Sequence, residues 1–355
     1  MDVRLALNLL TDRMAALPLA ILYLTDRCNS RCVTCDYWKY GQTNLPMERA
    51  RELAPQLKAL GTQAILLSGG EPLLHPRWAE IAEVLRTESG ARLWLLTAGL
   101  SLHKHAARVV ELCDRLTVSL DGATPETYRV IRGVEAFDAV CAGVLAAVGR
   151  GGRVTLRCTV QRGNYRELPA LVRLAHTLGV AQISFLAVDV STHVAFARAA
   201  DYEKTMALQA DDLPVFAKVL DTLERDFAAD FASGFIAERP AKLRRLHQYF
   251  AALLDEQKPD FSQHQPKPGF SAKFPPVRCN APRFSAVIGA DGRLQPCYFI
   301  TSSVTHAPPS ELRQDLNSPE LITLRHVIRA GQRPECKTCV CSIYRSPRAL
   351  LTTDF

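Results

Sequence analysis

The chain has 355 residues, of which 48% are hydrophobic and 22% charged, and its formal net charge is +7. This balance excludes a disordered, collagen-like or coiled-coil protein. No uncharged apolar run reaches the length of a membrane span, and charges near the N-terminus argue against a signal peptide, so we expect a cytoplasmic protein. No basic stripe interleaved with aromatic residues is present, so we expect no nucleic-acid partner.

The first two hundred residues alternate short apolar runs with amphipathic stretches. The apolar runs predict six strands, at 19–25, 64–68, 91–97, 115–120, 153–160 and 181–188. The stretches between them predict helices near 47–60, 76–88, 102–112, 135–149 and 165–178. Glycines suited to a helix C-terminus follow three of these helices, at Gly61, Gly90 and Gly179. This order predicts an α/β fold of parallel βα units, with the chemistry at the carboxyl ends of the strands.

The pattern changes after about residue 200, where helical periodicity gives way to a stretch rich in Pro, Lys and Gln and then to a cysteine-rich tail. In the tail, an apolar hairpin is predicted with Asp291-Gly292 at its turn. The predicted segments are a lead-in at 1–18, a βα region at 19–200, a helical segment at 201–256, a linker at 257–276 and a tail domain at 277–355.

Three of the eleven cysteines, Cys28, Cys32 and Cys35, follow the first strand on one loop. In a reducing compartment, metal binding or catalysis is a better explanation for such a group than disulfides. Three thiolates would leave one iron of a four-iron cluster open to an outside ligand. Zinc is the alternative, although zinc sites usually carry two CxxC pairs or a histidine, and no histidine lies nearby.

Further motifs follow the next three strands in order. They are Ser68-Gly69-Gly70-Glu71-Pro72, Thr97-Ala98-Gly99 and Ser119-Leu120-Asp121-Gly122. Together with the CxxxCxxC loop, they resemble the radical S-adenosylmethionine (radical SAM) superfamily over roughly residues 18–190. The resemblance implies a partial (β/α)6 TIM-type barrel in which Cys28, Cys32 and Cys35 hold a [4Fe-4S] cluster that binds SAM.

The resemblance also implies contacts with SAM. Glycines let the backbone approach a ligand closely, and a carboxylate accepts hydrogen bonds from an ammonium group. Ala98 replaces a frequent asparagine of relatives, and Thr34 stands where many relatives have an aromatic residue near the adenine. Arg157 resembles residues that pair with the SAM carboxylate, although an ordinary salt bridge is an alternative. The cofactor-binding residues implied are Gly69, Gly70, Glu71, Ser119, Asp121, Arg157 and Thr34.

The cysteine-rich tail resembles the SPASM and twitch extensions that carry auxiliary clusters in this superfamily. Its five cysteines suffice for one [4Fe-4S] cluster with four thiolate ligands. The expected ligands are Cys279, Cys297, Cys336 and Cys339. Cys341 is an alternative to Cys339, and a four-cysteine zinc site is an alternative to the cluster. The isolated cysteines, Cys113, Cys141 and Cys158, are expected to pack as small hydrophobic residues.

The resemblance implies an enzyme that cleaves SAM reductively and abstracts hydrogen from an unactivated C–H bond. A small or lipid-like substrate is expected, with net oxidation or bond formation aided by the auxiliary cluster and electrons from a donor such as flavodoxin or ferredoxin. A radical SAM maturase of a ribosomal peptide is the alternative. A zinc or iron–sulfur scaffold fits less well, since a scaffold would not need the motifs for SAM.

Overall fold

The computed structural model describes residues 3–190, 196, 206–254, 277–308, 310–337, 339–341, 343–346 and 349. The six predicted strands are present as β1 Leu19–Thr25, β2 Ala64–Gly69, β3 Arg92–Thr97, β4 Arg115–Ser119, β5 Val154–Val160 and β6 Gln182–Ala187. They pair in parallel in chain order, as the sequence predicted. The fold is therefore an α/β partial barrel, with the carboxyl ends of all six strands at one edge.

Helices connect the strands and cover the outer face of the sheet. The α-helices are α1 Val3–Leu10, α2 Tyr37–Tyr40, α3 Met47–Ala59, α4 Trp78–Ser89, α5 Leu102–Leu112, α6 Pro125–Arg132, α7 Phe137–Val148, α8 Leu168–Thr177, α9 Asp212–Asp226, α10 Ala228–Ser233, α11 Pro240–Leu254, α12 Leu312–Leu316, α13 Pro319–Arg329 and α14 Pro334–Lys337. Gly61, Gly90 and Gly179 all have positive φ, which confirms the predicted helix ends. Every helix in the described ranges is too short or too polar to cross a bilayer.

Burial along the strands shows which side chains face the barrel interior. In β5, Val154, Leu156, Cys158 and Val160 are buried against the helices, whereas the alternate residues Thr155, Arg157 and Thr159 are only half-buried. This period of two is that of a strand with two different faces. The polar set of β5 therefore points away from the helices and into the barrel.

The tail extends the sheet at the edge formed by β1. Its predicted hairpin is confirmed as β7 Ser285–Ile288 and β8 Leu294–Gln295, which are antiparallel, with Gly292 at a φ of +83° in the turn. β7 pairs in parallel with β1, from Leu19 opposite Ser285 to Leu22 opposite Ile288. The described sheet consequently has eight strands in the order β6-β5-β4-β3-β2-β1-β7-β8.

The segment after residue 205 is less continuously helical than the sequence predicted. Gly234, with a φ of +76°, ends α10, and Ile236 then forms a bridge with Ile183 of β6 before α11 begins. The pairing of this short stretch with the sheet edge overrides its helical periodicity. Six helices were not predicted, namely α1, α2, α6, α12, α13 and α14. The predicted linker at 257–276 lies outside the described residues.

Candidate functional site

The loop that carries Cys28, Cys32 and Cys35 begins where β1 ends and packs against the end of β2. The N–H of Gly70 donates to the carbonyl of Thr25 at 2.8 Å, and the N–H of Glu71 donates to the carbonyl of Arg27 at 2.8 Å. A Cβ on Gly69 would lie 2.1 Å from the Thr25 oxygen, and one on Gly70 would lie 2.2 Å from the Arg27 oxygen. The two glycines thus let the end of β2 approach the backbone of the residues directly before Cys28.

The other side of the same loop packs against the end of α6. The N–H of Arg31 donates to the carbonyl of Arg132 at 2.9 Å, and the N–H of Val33 donates to that of Ile131 at 3.0 Å. Gly133 ends α6 with a φ of +69°, and a Cβ there would lie 2.3 Å from the Arg31 oxygen. The cysteine loop is therefore held between β2 and α6 by backbone contacts.

The three thiols of this loop are free and largely enclosed. Burial raises the pKa of Cys28 to about 11 and that of Cys35 to about 12, while the backbone N–H groups of Ser30 and Tyr37 act in the opposite direction by favouring the thiolates. Burial also raises the pKa of Cys32, and the charge of Arg132 is the strongest opposing influence. The last residue of α6 thus places a cation beside thiols that have to lose their protons when they bind a cluster.

Arg132 is a residue of this site that the sequence did not single out. It is buried, its Nη1 donates to Asp121 Oδ2 at 3.0 Å, and its Nε has no hydrogen-bond partner. Burial acts to lower the pKa of Arg132, but the charges of Cys32 and Asp121 raise it overall. The sequence places Arg132 four residues after Tyr128 and so on the same face of α6, but the burial of that face is visible only in the structure.

Glu71, expected to contact the SAM amino group, is bonded inside the protein. Its Oε1 accepts from Thr97 Oγ1 at 2.7 Å and from the N–H of Leu73 at 3.1 Å, and its Oε2 accepts from the N–H of Ala98 at 2.6 Å. Burial raises the pKa of this carboxyl, and these donors lower it. Glu71 therefore joins the ends of β2 and β3, and its contact with SAM stays a prediction.

Asp121 has a similar position one strand further along. Its Oδ1 accepts from the N–H of Thr159 at 2.7 Å, and its Oδ2 accepts from Arg132. Asn164 Nδ2 donates to the Asp121 carbonyl at 2.9 Å. The carboxylate therefore links the end of β4 with β5 and α6, and its contact with SAM stays a prediction.

The remaining predicted SAM contacts lie at the same edge of the barrel. Ser119 is the last residue of β4 and stands opposite Arg157 of β5 in the register, so both side chains share the interior face. Thr34 lies on the cysteine loop between Cys32 and Cys35 and is half-buried. The structure thus gathers six of the seven predicted residues along the carboxyl ends of β1, β2 and β4, and Arg157 lies beside Ser119 in the middle of β5.

The five tail cysteines form a second group. Burial raises the pKa of Cys297 to about 12, and the charges of Cys336, Cys279 and Cys341 also raise it, which places these sulfurs near one another. Burial raises the pKa of Cys339 too, and the N–H of Cys341 lowers it by favouring the thiolate. Cys297 receives the same support from the N–H of Phe299. This arrangement is compatible with the expected ligands Cys279, Cys297, Cys336 and Cys339.

The isolated cysteines have different surroundings. Burial raises the pKa of Cys113 to about 12 and of Cys141 to about 11, and only the charges of side chains modify these values. Cys158 is fully buried in the main core, where Asn164 Nδ2 lies 3.4 Å from its sulfur. Their packing in the core agrees with the prediction that they act as small hydrophobic residues.

The residues of the cysteine loop fit a cluster that carries negative charge. Arg132 Nε is buried beside the loop without a hydrogen-bond partner, so an N–H donor is available there for an anionic group. Among the described residues, no three Cys, His, Asp or Glu side chains converge as ligands of a single metal ion. A [4Fe-4S] cluster takes thiolate ligands on separate irons, and three free thiols with a neighbouring guanidinium provide that donor set.

Comparisons with known proteins agree with this geometry. A family model described as the radical SAM superfamily matches residues 22–206. The chain is 35% identical over 176 residues to GTP 3',8-cyclase from Rhizobium etli (strain CIAT 652), covering 45% of this chain and 50% of that protein. It is 31% identical over 179 residues to Fe-coproporphyrin III synthase from Methanosarcina barkeri (strain Fusaro / DSM 804), covering 47% and 43%. The chain thus spans about half the length of these curated relatives.

The fold is also similar to that of a solved structure. Streptococcus suis SuiB bound to S-adenosylmethionine superposes with a TM-score of 0.65 at 14% identity, over 96% of this chain and 76% of SuiB. At this identity the similarity concerns the fold, and it extends beyond the six barrel strands into the tail.

Proposed function

Because this chain belongs to the radical SAM superfamily, whose members are enzymes that use a [4Fe-4S] cluster and SAM, we propose that it cleaves SAM reductively and acts on an unactivated C–H bond of a small or lipid-like metabolite. The loop of Cys28, Cys32 and Cys35 beside Arg132 is the observation that carries this proposal. Bound there, the cluster and SAM would supply a 5′-deoxyadenosyl radical that takes a hydrogen atom from the substrate.

The protein's own residues would position these groups. Three thiolates leave one iron open for the amino and carboxylate groups of SAM, and Arg132 offsets the negative charge beside Cys32. Glu71 and Asp121 hold the ends of β2 to β5 in register through buried hydrogen bonds. Their rigidity would fix the edge on which the methionine part of SAM lies, while Ser119 remains available as a direct contact.

We assign the tail cysteines to an auxiliary [4Fe-4S] cluster of the SPASM or twitch type. A cluster with four protein ligands has no open iron, so its expected role is to accept an electron from the substrate radical, giving net oxidation or bond formation. The support is the grouping of Cys297 with Cys336, Cys279 and Cys341. An electron donor such as flavodoxin or ferredoxin would reduce the first cluster.

Iron content and SAM cleavage test the two assignments together. Anaerobically reconstituted protein should hold about eight iron atoms, four per cluster, and should form 5′-deoxyadenosine with a strong reductant. Replacing Cys28, Cys32 and Cys35 by Ala should leave about four irons and abolish this product. Cys141→Ala is the matched control, because this isolated cysteine lies on α7.

Two results would contradict these assignments. Formation of 5′-deoxyadenosine by the triple variant would show that the three cysteines are not the SAM cluster ligands. A wild-type protein with about four irons and one zinc would show that the tail binds zinc.

A further inference from the structure

Arg157 is a cation in the barrel interior for which the described chain provides no counter-ion. It stands in the middle of β5, opposite Ser119 of β4 and Ser184 of β6 in the register. Its Nε is buried without a hydrogen-bond partner, and the described residues offer its guanidinium no ion pair. The other cation near the cysteine loop, Arg132, differs in that it forms an ion pair with Asp121 at 3.0 Å. A partly buried charge without a partner favours the binding of an oppositely charged group.

The surroundings of Arg157 belong to the tail. Tyr298, which follows Cys297, packs inside the barrel with Tyr23 and Leu66. Burial raises the pKa of Tyr298 strongly, and the charge of Arg157 opposes that shift. Arg157 therefore lies in the barrel interior near Tyr298 and Cys341 of the tail.

Arg157 lies in a different place from Arg132, the cation at the end of α6 beside the cysteine loop. Arg132 is the cation that acts on Cys28, Cys32 and Cys35, where the carboxylate of SAM has to reach the open iron. An anion on Arg157 would instead lie between β5 and Tyr298, in the space between the two cysteine groups. In the proposed function, this is the space that a substrate has to occupy.

We propose that Arg157 anchors the substrate by binding an oxyanion, a carboxylate or a phosphate, inside the barrel on the side of the tail cysteines. The guanidinium fork matches such a group with two parallel hydrogen bonds. This inference rests on the proposed function, because it identifies the bound anion with part of the substrate. It replaces the expectation that Arg157 pairs with the carboxylate of SAM.

Anion binding to the reconstituted full-length protein tests the assignment. Inorganic pyrophosphate and succinate serve as probes in calorimetric titrations, in the presence of saturating SAM and without reductant. We expect one of them to bind the wild type, which identifies the group as phosphate or carboxylate. Arg157→Gln should weaken this binding roughly tenfold or more, and Arg157→Lys should weaken it less, because it keeps the charge and loses the fork.

Arg153→Gln is the matched control. It removes the same charge from an exposed residue directly before the N-terminal end of β5 and should leave the binding of the probe unchanged. Thermal denaturation of each variant shows whether it is folded, and Arg157→Lys keeps the test valid if Arg157→Gln is unstable.

Several outcomes would overturn the proposal. The first is a wild-type protein that binds neither probe. The second is an Arg157→Gln variant that binds the probe as the wild type does. The third is an Arg157→Gln variant that loses affinity for SAM while its binding of the probe is unchanged. A change in the reduction potential of the tail cluster with unchanged probe binding would also overturn it and would assign Arg157 to that cluster. Failure of the proposed function can be distinguished from failure of this inference. In the first case the wild-type protein forms no 5′-deoxyadenosine, whereas binding of the probe requires no SAM cleavage.

Discussion

Glu71 and Asp121 each connect the ends of neighbouring strands through buried carboxylate oxygens. Glu71 accepts from Thr97 Oγ1 and from the N–H of Ala98, and Asp121 accepts from Arg132 and from the N–H of Thr159. A buried carboxylate is costly unless its oxygens are hydrogen-bonded, and these two have their donors. At the scale of single residues, the carboxyl edge of the barrel therefore depends on buried polar bonds as well as on apolar packing.

The role of Glu71 leads to a prediction for stability. Glu71→Gln keeps the size of the side chain but replaces one carboxylate oxygen by an NH2 group. This group would face the hydroxyl of Thr97 or the N–H of Ala98, which are themselves donors. We expect the free energy of unfolding to fall by about 1–3 kcal/mol, the cost of leaving buried polar groups unsatisfied. Urea denaturation of the cluster-free protein under anaerobic conditions measures this change.

Glu126→Gln is the control for this substitution, because Glu126 is exposed on α6 and should be replaceable without loss of stability. This prediction would be contradicted if Glu71→Gln left the free energy of unfolding unchanged but lowered the affinity for SAM tenfold or more. That result would mean that the carboxylate serves the ligand directly, as the resemblance to the family implies.

At the scale of elements, two helices end in the same way but in different surroundings. Gly90 ends α4 with a φ of +72° and has nothing within 4 Å of the position of a Cβ. Gly133 ends α6 with a φ of +69° and abuts the carbonyl of Arg31. The end of α6 is therefore also a support for the cysteine loop.

This difference predicts unequal effects of the same substitution. Gly90→Ala should cost only the strain of a left-handed alanine, about 1–2 kcal/mol, and should retain about eight irons. Gly133→Ala adds a clash with the backbone of the loop, so we expect it to lose the first cluster and retain about four irons. Iron analysis of the two reconstituted variants, with circular dichroism to verify folding, makes the comparison. A folded Gly133→Ala variant with all its irons would show that α6 does not position the loop.

At the scale of the whole molecule, the tail and the barrel share one sheet. β7 pairs with β1, the strand that leads into the cysteine loop, and Tyr298 packs in the barrel interior. The two cysteine groups therefore flank the same interior space, although more than two hundred residues separate them in the sequence. Such an arrangement would let an auxiliary cluster act on a substrate positioned at the first one.

Cys297→Ala tests whether the tail cluster has a redox role. The variant should lose about four irons and still form 5′-deoxyadenosine, because the ligands of the first cluster are untouched. With deuterated substrate, label should reach 5′-deoxyadenosine while final product is lost, since the substrate radical lacks an electron acceptor. Cys141→Ala should retain both clusters and product formation.

Two other results would have different meanings for the tail. Normal product formation by a folded Cys297→Ala variant without the tail cluster would contradict the role as electron acceptor. Aggregation, or a folded variant in which no label is transferred, would instead show that the cluster mainly stabilises the tail, since metal binding can supply folding free energy.

Local patterns in the sequence were sufficient to predict many elements of the fold. Apolar runs and their spacing located β1 to β6, glycines located the ends of α3, α4 and α8, and Asp291-Gly292 located the hairpin of the tail. Each of these signals lies within a few residues of the feature it predicts, because backbone conformation and side-chain period are local properties. The same applies to the grouping of Cys28, Cys32 and Cys35 on one loop.

Contacts between residues that are distant in the sequence became known only from the folded structure. The pairing of β7 with β1, the ion pair of Arg132 with Asp121, and the donors of Glu71 all join segments whose separation in the chain carries no periodic signal. Arg157 shows the difference most directly. The sequence placed this arginine on β5, whereas the lack of a counter-ion among the described residues depends on every segment that folds around it. Burial and pairing are properties of the assembled barrel, because they depend on which segments exclude water from a given side chain.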